Sequence, residues 1–166
     1  VYEGDELPEN TQVVSADNYN LKLHHPDVIY IQNPFDNENK AVSVSKEFYS
    51  RELKRYTDKL VYVQSFTLEE FRKENEREYK NMFAYCTVPG VVNADETLVQ
   101  SENMRQMYIE KLTEFAGDNT RNLWEQKIKV IEKKRNLTDN AMALDAKGKK
   151  RILFYISVSG LMENSD

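Results

Sequence analysis

The residues that most constrain the fold are Val28-Ile29-Tyr30-Ile31-Gln32-Asn33-Pro34. A short, continuous apolar and β-branched run is the pattern of a strand buried on both faces, as in a parallel sheet. The run stops abruptly at Asn33-Pro34, because proline has no N–H for a ladder and disfavours helical geometry in the residue before it. A central strand therefore runs into the polar, aromatic loop Asn33-Pro34-Phe35-Asp36. In open α/β sheets, ligands bind beyond the carboxyl ends of such strands.

Two further runs end in the same way. Tyr62-Val63-Gln64-Ser65 and Leu98-Val99-Gln100-Ser101 repeat the apolar-apolar-Gln-polar finish of Tyr30-Ile31-Gln32-Asn33, and their glutamines lie 32 and 36 residues apart. That interval accommodates a strand, a crossover helix and the return to the next parallel strand, with right-handed crossovers expected. Helical pattern fills the intervals. A helix is expected over 46–56 after Ser45. A charged helix is expected after the capping box Thr67-Leu68-Glu69-Glu70, broken at Pro89-Gly90. Another should start at Ser101, bury Met104, Met107, Tyr108, Ile109, Leu112 and Phe115, and stop at Gly117. A further helix is expected from about 121 to 135, where Leu123, Trp124, Ile128 and Ile131 fit a period of 3.6. Val13-Val14 could be a short edge strand, 136–150 reads as a linker, and Ile152–Ile156 reads as a last strand. The expected fold is α/β, a Rossmann-like three-layer α/β/α arrangement with a mainly parallel sheet, and the three glutamine-terminated strand ends mark the edge where a cleft would lie.

Bulk properties narrow the function. The chain has 166 residues, 40% hydrophobic, with a net charge of −5, so no basic footprint for nucleic acid is expected. There is one cysteine, Cys86, which cannot form an internal disulfide and is expected to be a buried apolar residue. No apolar run reaches the ~18 residues of a membrane span. Five scattered glycines form no phosphate cradle, and neither G-x-G-x-x-G, the P-loop nor a G-x-S-x-G elbow is present. The adjacent His24 and His25 lack the spacing of a metal pair and lie before a strand, so neither a metal site nor a Ser-His-Asp triad is expected, and no cofactor is implied. Asp36 can be read as a base or hydroxyl ligand, or as a turn-forming aspartate.

Several blocks in order carry a family resemblance. They are Tyr30-Ile31-Gln32-Asn33-Pro34-Phe35-Asp36; Phe48-Tyr49-Ser50; Leu53-Lys54-Arg55-Tyr56-Thr57-Asp58-Lys59-Leu60-Val61-Tyr62-Val63; Cys86-Thr87-Val88-Pro89-Gly90-Val91; and Ala94-Asp95 with Val99-Gln100-Ser101-Glu102. Together, over about 27–112 and again at 149–161, they resemble bacterial CDP-glycerol glycerophosphotransferase-like proteins. The resemblance implies a GT-B-type transferase with two Rossmann-like halves facing a cleft. Such an enzyme moves glycerol phosphate from CDP-glycerol, or a similar CDP-alditol, to a teichoic-acid-like polymer or lipid-linked acceptor. It works in the cytoplasm, at the inner face of the membrane. Residues 1–147 would be an incomplete acceptor-side domain, and 148–166 a linker and the first strand of a donor-binding domain. Better-known members carry Trp-His-Gly where this chain has Val63-Gln64-Ser65-Phe66, so no catalytic residue is transferred. The candidate cleft residues are Asn33, Pro34, Phe35, Asp36, Gln64, Ser65, Gln100 and Ser101. The alternative is an α/β module that keeps the fold for binding or regulation. A flavodoxin- or receiver-like domain would require an acidic cluster or phosphate loop that the sequence lacks.

Overall fold

The computed structural model describes residues 12, 14, 15, 18–64, 75–131 and, for the backbone, 152–155. Its centre is a parallel sheet. Strands β1 (Val28–Ile31), β2 (Lys59–Val63), β3 (Glu96–Val99) and β4 (Ile128–Val130) lie side by side in chain order, and β5 (Ile152–Tyr155) flanks β1 on the other side. Val28 pairs with Lys59, Val61 with Glu96, and Thr97 with Ile128, all in parallel register. The fold is α/β, as the run-and-exit pattern of the strands implies.

Alternation along the strands separates the two faces of the sheet. Ile29 and Ile31 of β1, Leu60 and Tyr62 of β2, Val99 of β3 and Ile128 of β4 are buried in one cluster. The same cluster holds Leu53 of α2 (Ser50–Leu53), Met82 and Cys86 of α3 (Glu76–Cys86), Val91 of α4 (Pro89–Asn93), Trp124 of α6 (Arg121–Lys127), and Met104, Met107, Tyr108, Ile109 and Leu112 of α5 (Glu102–Ala116). The intervening residues point to the other face, where Val28, Tyr30, Val63 and Leu98 are half-buried and Val61 is fully buried. Among the described residues the helices thus form one layer on one face. Crossovers of one hand that step in one direction across a sheet fall on the same side, which accounts for it. The second helical layer of a three-layer sandwich is not seen among the described residues.

Local chemistry explains several departures from sequence expectation. The helix expected over 46–56 is instead a 3-10 turn (Lys46–Phe48), the short α2 and another 3-10 turn (Lys54–Tyr56). Tyr49, with ψ 140°, is extended and interrupts it, and Ser45 makes no side-chain cap. α6 ends at Lys127, not near 135, because Ile128 turns extended and starts β4. Ile128 and Ile131 fit a helical period, but Ile128-Lys129-Val130 also alternates buried and exposed. Arg105 secures the changeover by donating to the Glu125 and Ile128 carbonyls, each at 2.9 Å. α5 behaves as expected, with the Ser101 hydroxyl accepting from the Met104 N–H and Gly117 (φ 99°) closing the C-terminus. Phe115 is the exception: it is 53% exposed and meets Phe83 edge-on. Pro89 occupies the first turn of α4, where a missing N–H is harmless. Val14 is exposed and outside any strand. The capping box at 67–70 and the linker at 136–150 lie outside the described residues.

The strand assigned from sequence to a following domain, Ile152–Tyr155, runs beside β1 in this same sheet, with Val28 opposite Ile152 and Ile31 opposite Tyr155. An open β1 edge presents unpaired backbone groups, and a β-branched and aromatic segment is suited to satisfy them.

Candidate functional site

Because β1, β2 and β3 are parallel, their carboxyl ends share one edge, and the candidate residues fall there in two groups. The first is the loop leaving β1. The Asn33 side chain fastens it from within: its Nδ2 donates to the Val42 carbonyl and its Oδ1 accepts from the Phe35 N–H at 3.0 Å. Pro34 lies against α4, and its carbonyl accepts from the Gly90 N–H at 2.7 Å. Asp36 adopts a positive φ of 49°, a conformation that Asp tolerates better than most residues. It points inward and is 6% exposed.

The two Asp36 carboxylate oxygens have separate partners. Oδ1 accepts from the Ser50 N–H at 2.8 Å and Oδ2 from the Ser50 hydroxyl at 2.9 Å. Ser50 opens α2, so Asp36 satisfies an N–H that the helix itself leaves free. Asn93 at the end of α4 donates to the same hydroxyl at 2.9 Å. Burial pushes the Asp36 carboxyl above its ordinary value, with the two Ser50 bonds pulling the other way. The arrangement ties the β1 exit, α2 and α4 together, and it commits the one carboxylate of Asn33–Asp36 to structure. Phe35 is half-buried against the core.

The second group joins the ends of β2 and β3. The Gln64 N–H donates to the Leu98 carbonyl at 2.9 Å. Gln64 Oε1 accepts from the Gln100 N–H and Gln64 Nε2 donates to Gln100 Oε1, both at 3.1 Å. The two amides continue the ladder where the strands end, and Ser101 next to them caps α5. Two of the repeated glutamines thus meet directly. Ser65 lies outside the described residues.

Sequence reasoning missed Ser50, Asn93 and the Pro34–Gly90 contact. The first two carry no local signature, since their partners come from other parts of the chain. Pro89-Gly90 was visible as a break, though not as a seat for Pro34. His24 and His25 stay on the entry side of β1: His24 stacks on Tyr19 at 4.6 Å and bonds the Asn20 carbonyl, and His25 (φ 37°) closes α1 (Leu21–His24). Cys86 is buried, which raises its thiol pKa. Among the described residues no cluster of ligating side chains could hold a metal, and no helix is long and apolar enough to cross a membrane. An open groove of about 510 Å³ lies beside β4, lined by Glu96, Leu98, Glu102, Arg105, Lys129 and Val130. Its charges are of mixed sign, and its arginine is engaged with Glu102 as well as with the Glu125 and Ile128 carbonyls.

No family model, curated protein or solved structure matches the chain.

Proposed function

We propose that this chain is part of the acceptor-side, Rossmann-like half of a GT-B-type CDP-alditol transferase, one that moves glycerol phosphate from CDP-glycerol to a polymer or lipid-linked acceptor at the inner face of a membrane. The observation that carries the reading is the shared edge: parallel strands bring the Gln32 end, the joined Gln64 and Gln100, and the anchored loop 33–36 to the side where such folds take ligands. The blocks behind the family resemblance also interlock: Asn33–Asp36 with Ser50 and Gly90, and Lys54 and Leu60 with Asp95.

A specific observation supports a second reading, a non-catalytic module. Each Asp36 oxygen already accepts from Ser50, and among the described residues no histidine lies on the strand-end edge. The deciding experiment is calorimetric titration of the full-length protein with CDP-glycerol and CDP-ribitol, followed by turnover on a glycerol-phosphate oligomer. Binding with turnover supports the transferase. Absence of binding to both nucleotides refutes it, and binding without turnover favours the module.

A further inference from the structure

At the opposite edge, where β2, β3 and β4 begin, two lysines converge on the end of α4. Lys127 Nζ donates to the Val92 carbonyl at 2.7 Å and sits 5.1 Å from the Trp124 ring centre. Lys54 Nζ donates to the neighbouring Asn93 carbonyl at 2.9 Å and pairs with Asp95 Oδ1 at 2.8 Å. The second Asp95 oxygen accepts from the Leu60 N–H at 2.9 Å. One carboxylate, already hydrogen-bonded, serves two ammonium groups, so the cluster keeps a surplus positive charge.

Lys127 is 8% exposed. A protonated lysine has three donors, and among the described residues Lys127 uses one of them, on Val92. A buried charge is tolerated when it is both paired and hydrogen-bonded. The charge partners that face it are Lys54, which repels it, and Asp95, which attracts it. Burial, and after it the Lys54 charge, lower its pKa to about 8, against the opposing pull of Asp95. Lys54 is half-exposed, so the pair opens to solvent on its side.

We propose that Lys127 and Lys54 form a seat for a small oxyanion, a phosphate or carboxylate group, separate from the strand-end edge. Such a group supplies acceptors to both ammonium ions and neutralises the charge that Asp95 leaves over. Asp95 itself repels an anion, so the seat depends on both lysines.

Trp124 is the sole tryptophan of the chain and reports on this position directly. The experiment titrates the full chain with inorganic phosphate, and in a parallel arm with acetate, at pH 7 and constant ionic strength, reading Trp124 fluorescence. The expected result is a saturable change that Lys127→Met abolishes and Lys54→Gln weakens at least several-fold, with far-ultraviolet circular dichroism unchanged in both variants. Saturation by phosphate alone identifies a phosphate seat, and by acetate as well a general oxyanion seat. A non-saturating response, or one that survives in the folded Lys54→Gln protein at full strength, overturns the proposal and leaves water to complete the Lys127 donors.

Discussion

Replacing Gly90 by alanine tests the junction between the β1 exit and α4. A Cβ on Gly90 would stand 2.5 Å from Pro34 Cα, 2.9 Å from its Cβ and 3.1 Å from its carbonyl oxygen. The closest of these is backbone, so no side-chain rotation relieves the contact, and α4 must move away from Pro34 by about 1 Å to restore ordinary packing. Overpacking of this kind costs ~1–3 kcal/mol. The displacement also stretches the Gly90 N–H bond to Pro34, worth about 1 kcal/mol. Alanine returns up to ~1 kcal/mol through helix propensity. The net expectation is a loss of roughly 2–3 kcal/mol. With a urea m-value near 2 kcal/mol/M, the unfolding midpoint falls by about 1 M or more. Equilibrium urea unfolding followed by Trp124 fluorescence and circular dichroism measures it. A midpoint within about 0.3 M of wild type would refute the close approach on which the reasoning rests.

Asp36→Ala removes both Ser50 bonds and places alanine at a positive φ, and should cost about 2–3 kcal/mol. Asp36→Asn keeps the bond from the Ser50 N–H while the Ser50 hydroxyl must turn to accept from the new amide, and should cost about 1 kcal/mol, so loss of turnover in folded Asp36→Asn would show that the carboxylate acts in the reaction after all. Thr97→Val should stabilise the protein by about 1 kcal/mol in thermal or urea unfolding, because the buried Thr97 hydroxyl has no partner among the described residues. Lys127 has a folded pKa of about 8 against an ordinary 10.5, so the unfolded chain binds the extra proton between those values. Stability relative to Lys127→Met should therefore be lowest below pH 8 and rise above it by up to about 1.4 kcal/mol per pH unit. Comparison with the variant is needed because the raised Cys86 pKa works in the opposite sense above pH 9. A difference between the two proteins that stays flat from pH 7 to 10 would contradict the burial of Lys127.

The legible parts of this fold are those whose signals are local. β1, β2 and β3 stand out as short apolar runs with polar exits, and α5 is marked at one end by Ser101 and at the other by Gly117. β4 was hidden because three residues are too few to separate alternation from a helical period, and Arg105, which fixes its start, lies far upstream. The loop after β1 was legible as a place but not as an arrangement. Asn33, Pro34 and Asp36 read as cleft-facing residues, yet each side chain or carbonyl is turned towards a partner supplied by Val42, Gly90 or Ser50. Which way a short polar side chain points is decided by those distant partners, and one stretch of sequence does not contain them. Gln64 and Gln100 were legible as a repeat, while their direct bond depends on the offset between β2 and β3.

The order of β1 to β4 across the sheet also bears on how the chain is made. Each of β2, β3 and β4 adds to the edge left by the strand synthesised before it, so the sheet can grow in the direction of translation. The core cluster can then close by successive additions, with α5 arriving on a surface that β1 to β3 have already laid down. The junction between Pro34 and Gly90 can close once α4 has emerged and before β3 is complete, and it ties α4 to a β1 exit that β2 already flanks.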